Sequence, residues 1–218
     1  MVQKRAPKSA SQPRRFVAVA SQEPVIVDTA AELFLARGYD GVSIDAITAI
    51  VGGSKRDIYT LFGDKETLFR RAVEKLATER SDLVREVALS GDLRASLTTV
   101  GLRILDVLLS PRTLALHKLM ISEAGRIPDV AETFLQNAPN ISYSIVENLL
   151  NHHAKLGEVR LVEAALSARI FVSALISDLQ LRALLGKTVS SSEQRAKAEA
   201  VVKHFLDGIG SNATRADH

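Results

Sequence analysis

Cysteine is absent from this 218-residue chain, and proline occurs only 6 times. The absence of cysteine excludes disulfides and thiolate zinc sites within it. Long runs of valine, isoleucine and threonine are also scarce, whereas alanine and leucine are abundant. Because hydrophobic residues make up 46% of the sequence, we expect a substantial core. The composition predicts an almost entirely helical protein.

Uninterrupted apolar segments are short. None reaches the roughly 18 residues that a membrane-spanning helix requires. The basic N-terminus lacks the apolar stretch of a secretory signal. We therefore expect a cytoplasmic protein without a membrane partner.

The net charge of +3 is distributed unevenly along the chain. Residues 1–15 carry five basic side chains and no acidic one, residues 16–80 carry 8 basic and 10 acidic ones, and residues 81–218 carry 15 of each. Residues 1–20 are predicted to form a disordered basic arm. Such an arm would either act as a solubilising tail or lie along DNA phosphates or in a minor groove, and the sequence leaves both open.

Helices with clear start and stop signals follow the arm. Apolar residues recur at helical spacing over 23–37, and a glycine comes next. Ser43 is a suitable N-cap for a helix that ends before a pair of glycines. Ser54 begins another helix, with Asp57 three positions later as in a capping box. Asp64 is placed to cap a long helix.

The segment GGSKRDIYTLF, residues 52–62, encodes the shortest of these helices. At about 100° per residue, its apolar side chains Ile58, Leu61 and Phe62 share one face. The side chains opposite that face, or flanking it at the N-terminal end, are Lys55, Arg56, Tyr59 and Thr60. Because so short a helix is not stable alone, its apolar face must dock on neighbouring helices and hold the cations on a rigid support.

The two short helices and the glycine turn between them predict a helix-turn-helix, whose second helix enters a DNA major groove. Lys55 and Arg56 would then lie near base edges, where an arginine can bond O6 and N7 of guanine. Tyr59 and Lys65 would lie near phosphates, and Ser43 opens a helix N-terminus that can also meet one. The alternative is an ordinary helical hairpin with a solvated basic face.

Residues 25–72 closely resemble the DNA-binding domain of the TetR/AcrR family of transcriptional regulators. The similarity rests on AAELFLARGYDGVSIDAIT and, from Gly52 onward, on SK, IY, F and DKETLF in the same order and spacing. The resemblance implies an all-helical, homodimeric, ligand-responsive repressor. In such a protein, 43–51 and 54–61 are the second and third helices, and the latter is the recognition helix.

Three positions depart from the family pattern. Gly53 stands where valine or another apolar residue is usual, Leu61 where tyrosine or histidine is common, and Thr48 where alanine is usual. The glycine is expected to loosen the turn, and Leu61 removes one habitual phosphate contact. These departures bear on affinity and on the operator sequence rather than on the class of protein.

We therefore predict an all-α protein, in which a three-helix helix-turn-helix DNA-binding domain at 21–66 precedes a larger helical ligand-binding and dimerisation domain at 67–218. Further helices are expected near 93–109, 112–124, 129–137, 140–156, 162–185 and 193–209. The residues predicted to contact double-stranded DNA are Ser43, Ser54, Lys55, Arg56, Tyr59, Thr60 and Lys65.

The resemblance also implies that the C-terminal domain binds a small apolar or amphipathic effector and forms the dimer. Candidate pocket residues are Leu105, Leu108, His117, Met120, Ile121, Leu149, His152 and Phe171. Apolar residues at helical spacing usually belong to a core, and that alternative stays open for each of them. Candidate dimer residues on the last two helices are Val172, Ile176, Leu179, Val201, Phe205 and Gly208.

A two-fold dimer would present its recognition helices one DNA turn apart, about 34–36 Å, to a near-palindromic operator. An effector would then release DNA by binding a helix arrangement that is incompatible with this spacing. The long helix that begins at Asp64 would transmit the change.

Two other functions compete with this interpretation. An enzyme is disfavoured because we find no glycine-rich phosphate loop, nucleophile motif or metal-ligand cluster, and adjacent His152 and His153 point to different helix faces. We expect no catalytic residue, metal or cofactor. A helical interaction module that has lost DNA binding is compatible with Gly53, with Leu61 and with the net negative charge of residues 16–80.

Overall fold

The computed structural model describes residues 22–85, 92–137, 140–159 and 163–209. Ten helices and no β-strand lie within these ranges. They are α1 (Glu23–Arg37), α2 (Ile44–Val51), α3 (Lys55–Phe62), α4 (Lys65–Arg85), α5 (Leu93–Leu108), α6 (Pro111–Glu123), α7 (Pro128–Asn137), α8 (Asn140–Lys155), α9 (Ala164–Leu184) and α10 (Ser191–Ile209). The all-helical prediction is confirmed. The predicted basic arm at 1–20 lies outside the described residues.

The chain divides into two compact units that meet, along the sequence, between Lys75 and Leu76. The division falls within α4, which therefore contributes residues to both units. The domain limits predicted from the sequence, 21–66 and 67–218, stay a prediction.

Helices α1, α2 and α3 and the start of α4 form the N-terminal unit. Its largest fully buried side chains are Ile26, Phe34, Ile47, Ile58, Leu68 and Phe69. Three aromatic rings pack together here, with the Phe69 centroid 4.9 Å from that of Phe34 and 5.0 Å from that of Tyr39. Edge-on packing of this kind adds to the stabilisation that area burial alone provides.

Side-chain caps fix where these helices begin, as the sequence predicts. The Ser43 hydroxyl accepts a hydrogen bond from the Ala46 amide at 3.1 Å. Ser54 and Asp57 form a capping box, in which each side chain accepts from the other residue's backbone amide, at 3.3 and 3.1 Å. The Asp64 carboxylate accepts from the Thr67 amide at 2.7 Å, and this bond lowers the pKa of Asp64.

The turn between α2 and α3 requires glycine. Gly52 and Gly53 have φ angles of 75° and 82°, a region that L side chains enter only with strain. A Cβ atom on Gly53 would lie 3.8 Å from its nearest side-chain neighbours, so the requirement comes from the backbone and not from crowding. Gly53, which departs from the resembled family, therefore suits this particular turn.

The core of the C-terminal unit lies among α5, α8, α9 and α10. Its fully buried members include Leu97, Ile104, Leu150, Phe171 and Leu175. Helices α5 and α9 approach closely at Gly101, where an added Cβ would lie 3.5 Å from a Leu175 methyl group. By length and composition, α9 would also suit a membrane span, but a core helix of this kind meets the same criteria.

A polar cluster joins α6, α7 and α9 around His117. The Nδ1 atom of His117 lies 2.9 Å from the Thr113 carbonyl oxygen, which can only accept, so Nδ1 carries the proton. Its Nε2 atom then accepts from the Gln180 amide at 3.4 Å. The ring packs edge-on against Phe134 at 5.5 Å. Burial, and secondly the charge of Arg80, lower the pKa of His117 to about 4.

The lowered pKa makes His117 a source of acid sensitivity. Its unfolded pKa is about 6.5, so the unfolded chain binds more protons and stability falls as pH drops from about 6.5 towards 4. The shift corresponds to roughly 3 kcal/mol of unfolding free energy at most. His117→Asn keeps a hydrogen-bond donor near the Thr113 carbonyl but removes the titrating ring. Its free energy of unfolding, measured by urea denaturation at several pH values, should therefore fall less steeply over this pH range than that of the parent chain.

The control is Asn151→Ala. Asn151 is an exposed residue of α8 that carries no ionisable group. This substitution should leave the pH dependence of unfolding close to that of the parent chain. If the unfolding free energies of His117→Asn and of the parent chain fell in parallel as the pH dropped, His117 would not be a source of the stability that is lost in acid.

Candidate nucleic-acid interface and effector region

Helix α3 holds its apolar side chains inside and its cations outside. Ile58 and Phe62 are 2% and 6% exposed, while Tyr59 is 49% exposed. Lys55, Arg56 and Thr60 are also exposed, and Leu61 is half-buried. The eight-residue helix is thus docked by two large side chains and displays a polar surface of cationic, aromatic and hydroxyl groups.

Lys55 is held by an ion pair across the turn. Its Nζ atom lies 2.8 Å from a carboxylate oxygen of Asp45 on α2, and the hydrogen bond to that carboxylate is the first cause of a raised Lys55 pKa. Both side chains are well exposed. Because exposed pairs of this kind contribute little, a DNA phosphate or base edge can displace Asp45 at small cost.

The hydroxyl groups differ in what they can offer to DNA. The Ser54 hydroxyl donates to the Asp57 carboxylate at 2.7 Å, so its proton is engaged within the capping box. Likewise, the Thr60 hydroxyl donates to the Arg56 carbonyl at 2.7 Å. The Ser43 hydroxyl is exposed and accepts from its own helix, so its proton can still be donated to a phosphate.

Lys65 rests on an aromatic ring. Its Nζ atom lies 4.2 Å from the centroid of Tyr39, whose ring packs against Phe69. A cation over an aromatic face is attracted electrostatically, so the ring restrains the position of the ammonium group. Tyr39 was not among the predicted site residues, because the sequence offers no signal that it would lie beneath Lys65.

The predicted effector residues are not all in one place. Leu105, Leu108, Leu149 and Phe171 belong to the buried core, and Met120 is also buried. His117 is partly buried within its polar cluster. Ile121 is 69% exposed, and His152 is exposed as well.

A small cavity lies within the C-terminal unit near His117. Its volume is about 90 Å³. It is lined by Leu76, Glu79, Arg80, Leu83, Ser110, Arg112, Thr113 and Leu116. Arg80 is only 6% exposed, and desolvation lowers its pKa to about 10, so it is still charged at neutral pH.

Arg80 was not among the site residues predicted from the sequence. A usable signal was present, because Arg80 falls on the apolar stripe of α4, seven residues after Val73 and four after Leu76, both of which are buried. A charged residue at such a position either pairs internally or faces a cavity. The nearby polar groups of α6 carry no comparable signal.

An apolar groove about 490 Å³ in volume runs between α9 and α10. Its walls include three predicted dimer residues, Val201, Phe205 and Gly208. The other three lie inside the unit, since Val172 and Leu179 are 2% and 3% exposed and Ile176 packs partly buried against the core. The large apolar side chains that α9 exposes are Leu166, Ile170 and Leu181.

No group of three potential metal ligands among histidine, aspartate and glutamate comes together in the parts of the chain that the structure describes.

The position of Lys65 over Tyr39 generates a test. Tyr39→Leu removes the ring and should weaken binding to any DNA duplex by about 0.5–1 kcal/mol, measured by fluorescence anisotropy. Tyr39→Phe keeps the ring and should retain the affinity. In a Lys65→Ala background, the two Tyr39 variants should bind equally. An equal loss in both variants with Lys65 intact would assign the effect to the hydroxyl group instead.

Comparison with known proteins gives a consistent assignment for both units. Residues 26–72 match the family of bacterial regulatory proteins called the tetR family. Residues 95–208 match the C-terminal domain of AefR-like transcriptional repressors. No curated protein shows significant similarity to the chain.

Several solved structures share the fold. A TetR-family transcriptional regulator from Mesorhizobium loti is 25% identical, with a TM-score of 0.79 and coverage of 88% of this chain and 98% of that one. The flavonoid-responsive regulator FrrA is 23% identical, with a TM-score of 0.77 and coverage of 89% and 100%. A regulator from Saccharomonospora viridis in complex with choline is 23% identical, with a TM-score of 0.63 and coverage of 88% and 99%.

The C-terminal match alone spans more than half of the chain, and the N-terminal match covers the helix-turn-helix. The chain therefore belongs to the TetR family of DNA-binding transcriptional regulators.

Proposed function

We propose that the chain is a ligand-responsive repressor, which binds a near-palindromic operator as a homodimer and is released by a small apolar or amphipathic effector. The observation that carries this proposal is the docking of α3, with Ile58 and Phe62 buried and Lys55 and Arg56 exposed. A short helix held in this way presents cations at fixed positions, which is what base reading requires. Such a protein would work in the cytoplasm, where bacterial DNA lies.

The polar residues around α3 take distinct roles in this proposal. Arg56 reads a base edge, and Lys55 does so after leaving Asp45. Tyr59, Lys65 and Ser43 contact phosphates, which set position rather than sequence. Ser54 and Thr60 act mainly through their internal hydrogen bonds, because their protons are already donated within the helix.

The groove between α9 and α10 is the proposed dimer interface. Its exposed apolar side chains would be covered by the same surface of a second copy, as two-fold symmetry requires. Ile170, Val201, Phe205 and Gly208, which line the groove, would contribute to this interface. Val172 and Leu179 support this surface from the core rather than crossing the interface.

The effector is proposed to act on the C-terminal unit. Of the residues selected from the sequence, His117 and Met120 remain candidates for lining its pocket, while Ile121 and His152 are too exposed to be retained. An effector can release DNA only if it binds the DNA-incompetent arrangement more tightly than the competent one. Helix α4 would carry the change, since it contributes residues to both units.

A protein-interaction module without DNA binding is the second candidate. The pairing of Lys55 with Asp45 is the observation that favours it, because it engages one of the cations expected to meet DNA. Salt dependence separates the two functions. A DNA-binding protein that displaces counterions loses affinity steeply as salt rises, whereas an interaction module shows no DNA binding to lose.

Selection of bound duplexes from a random DNA pool, at near-physiological salt, tests the proposal directly. Recovery of a near-palindrome with half-sites one turn apart, about 34–36 Å, is expected for a dimeric reader. Recovery of no preferred sequence by folded, dimeric protein would contradict the proposed operator binding.

Two substitutions then test the assigned roles. Arg56→Ala should cost about 1–3 kcal/mol on the selected operator and relax base preference at one position of each half-site. Lys65→Ala should weaken operator and random duplexes alike, and should reduce the salt slope by about 1. Affinities can be measured by anisotropy over a range of salt concentrations.

Matched variants serve as controls for this pair. Arg56→Lys keeps the charge but loses the two-pronged donor geometry, so base preference should relax while the salt slope is retained. Lys118→Ala removes an exposed lysine of the C-terminal unit and should leave DNA affinity unchanged. Sequence-independent losses of equal size in Arg56→Ala and Lys65→Ala would refute base reading by Arg56.

A further inference from the structure

We propose that Asp45 is a base-reading residue, whose carboxylate accepts a hydrogen bond from the N4 amino group of a cytosine in each operator half-site while Lys55 donates to the guanine of the same base pair. This inference rests on the proposed function in one respect, that α3 enters a DNA major groove. It adds a residue of α2 to the reading surface and names the base pair that this residue selects.

Asp45 places a negative charge at a surface that is expected to face a polyanion. Its side chain is 66% exposed, and one carboxylate oxygen lies 2.8 Å from Nζ of Lys55, the first residue of α3. The acidic residue of α3 itself, Asp57, is instead engaged in the capping box. When Lys55 moves to a base edge, the Asp45 carboxylate faces DNA without its cation. It must then either find a hydrogen-bond donor or be repelled by phosphates.

The chemistry of the major groove selects cytosine as that donor. Cytosine presents the N4 amino group as its hydrogen-bonding group there, whereas adenine presents the N7 acceptor beside its N6 amino group. Guanine and thymine present acceptors alone. Because an ionised carboxylate has only acceptor oxygens, every base except cytosine brings an acceptor against Asp45.

The spacing of the ion pair matches the edge of one base pair. In a C·G pair, the cytosine N4 amino group donates to guanine O6 at the usual N–H···O distance of about 2.9–3.0 Å. The Asp45 oxygen and the Lys55 nitrogen lie 2.8 Å apart, so an acceptor and a donor stand side by side at nearly the same separation. When the ion pair opens, each member can therefore take a complementary partner on one C·G edge. This exchange has a small cost, because exposed pairs contribute little to stability.

The same carboxylate weakens binding to other DNA. On a duplex that lacks the cytosine, Asp45 meets base acceptors or phosphates, so Lys55 gains a partner only while a neighbouring carboxylate is repelled. Specificity is a difference between affinities, and a group that repels the wrong sequence raises it just as one that attracts the right sequence does. Asp45 is therefore expected to increase the ratio of operator affinity to random-duplex affinity.

The test repeats the random-pool selection with the full-length parent, Asp45→Asn and Asp45→Ala. The parent should recover a cytosine at one position of each half-site. Asp45→Asn should change that preference to adenine, because an amide offers a donor and an acceptor that match N7 and N6 of adenine. Asp45→Ala should recover no preference at this position. In both variants, the ratio of affinities for the parent operator and a random duplex should fall about fivefold or more, measured by fluorescence anisotropy.

Random duplexes provide a second readout. Both Asp45 variants should bind them more tightly than the parent, with a salt slope steeper by about 1, because no carboxylate then offsets the charge of Lys55. Asp28→Asn is the matched control. Asp28 is exposed and pairs with Lys75 at 3.0 Å, between α1 and α4 and outside the helix-turn-helix. Its replacement removes the same charge and opens a similar ion pair, and should retain the base preference and salt slope of the parent.

A Lys55→Ala background separates base reading from positioning. If Asp45 acted only by holding Lys55 in place, its replacement would have no further effect once the Lys55 side chain is absent. For direct reading, Asp45→Asn should still shift the preference from cytosine to adenine in this background. A shift that disappears there would make Asp45 a positioning residue and contradict the contact with cytosine.

The selection also distinguishes failure of this contact from failure of operator binding. A near-palindrome with the same base preferences for the parent, Asp45→Asn and Asp45→Ala would overturn the role of Asp45 and leave the proposed function intact. Recovery of no preferred sequence by the folded, dimeric parent would overturn the proposed function and, with it, the role of Asp45.

Discussion

The burial of Ile58 and Phe62 is the interaction on which the N-terminal unit depends for its function. Eight residues form too short a helix to persist in water, because the cost of nucleation exceeds what a few backbone hydrogen bonds return. Docking on these two side chains supplies the missing stabilisation. The same docking fixes the direction in which Lys55 and Arg56 point, so core packing and the presentation of cations are one physical event.

The helix ends could be predicted because their causes are local. Ser54 and Asp57 satisfy each other's backbone amides within one turn, and the adjacent glycines adopt φ angles that favour them. The sequence contains all the partners of such motifs, so no tertiary information is needed. For the same reason, the limits of α2 and α3 agree to within one residue with the 43–51 and 54–61 expected from the sequence.

The burial direction of α9 could not be predicted in the same way. This helix is apolar on several faces, so Val172 and Leu179 look as suitable for an interface as Ile170 and Leu181 do. The choice is made by its neighbours α5, α8 and α10, which cover the first pair. Arg80 is an intermediate case: its place on the apolar stripe of α4 signals that it is buried, but the neighbours against which it is buried are set by packing in the C-terminal unit.

Burial leaves Arg80 and His117 with different charges at neutral pH. The pKa of Arg80 is about 10 and that of His117 is about 4, so the first is cationic and the second neutral. Burial is the larger obstacle to a proton on His117, and the positive charge of Arg80 adds to it. Protonation of His117 in acid would therefore place a second cation in the same buried region, which is why the C-terminal unit is expected to lose stability there.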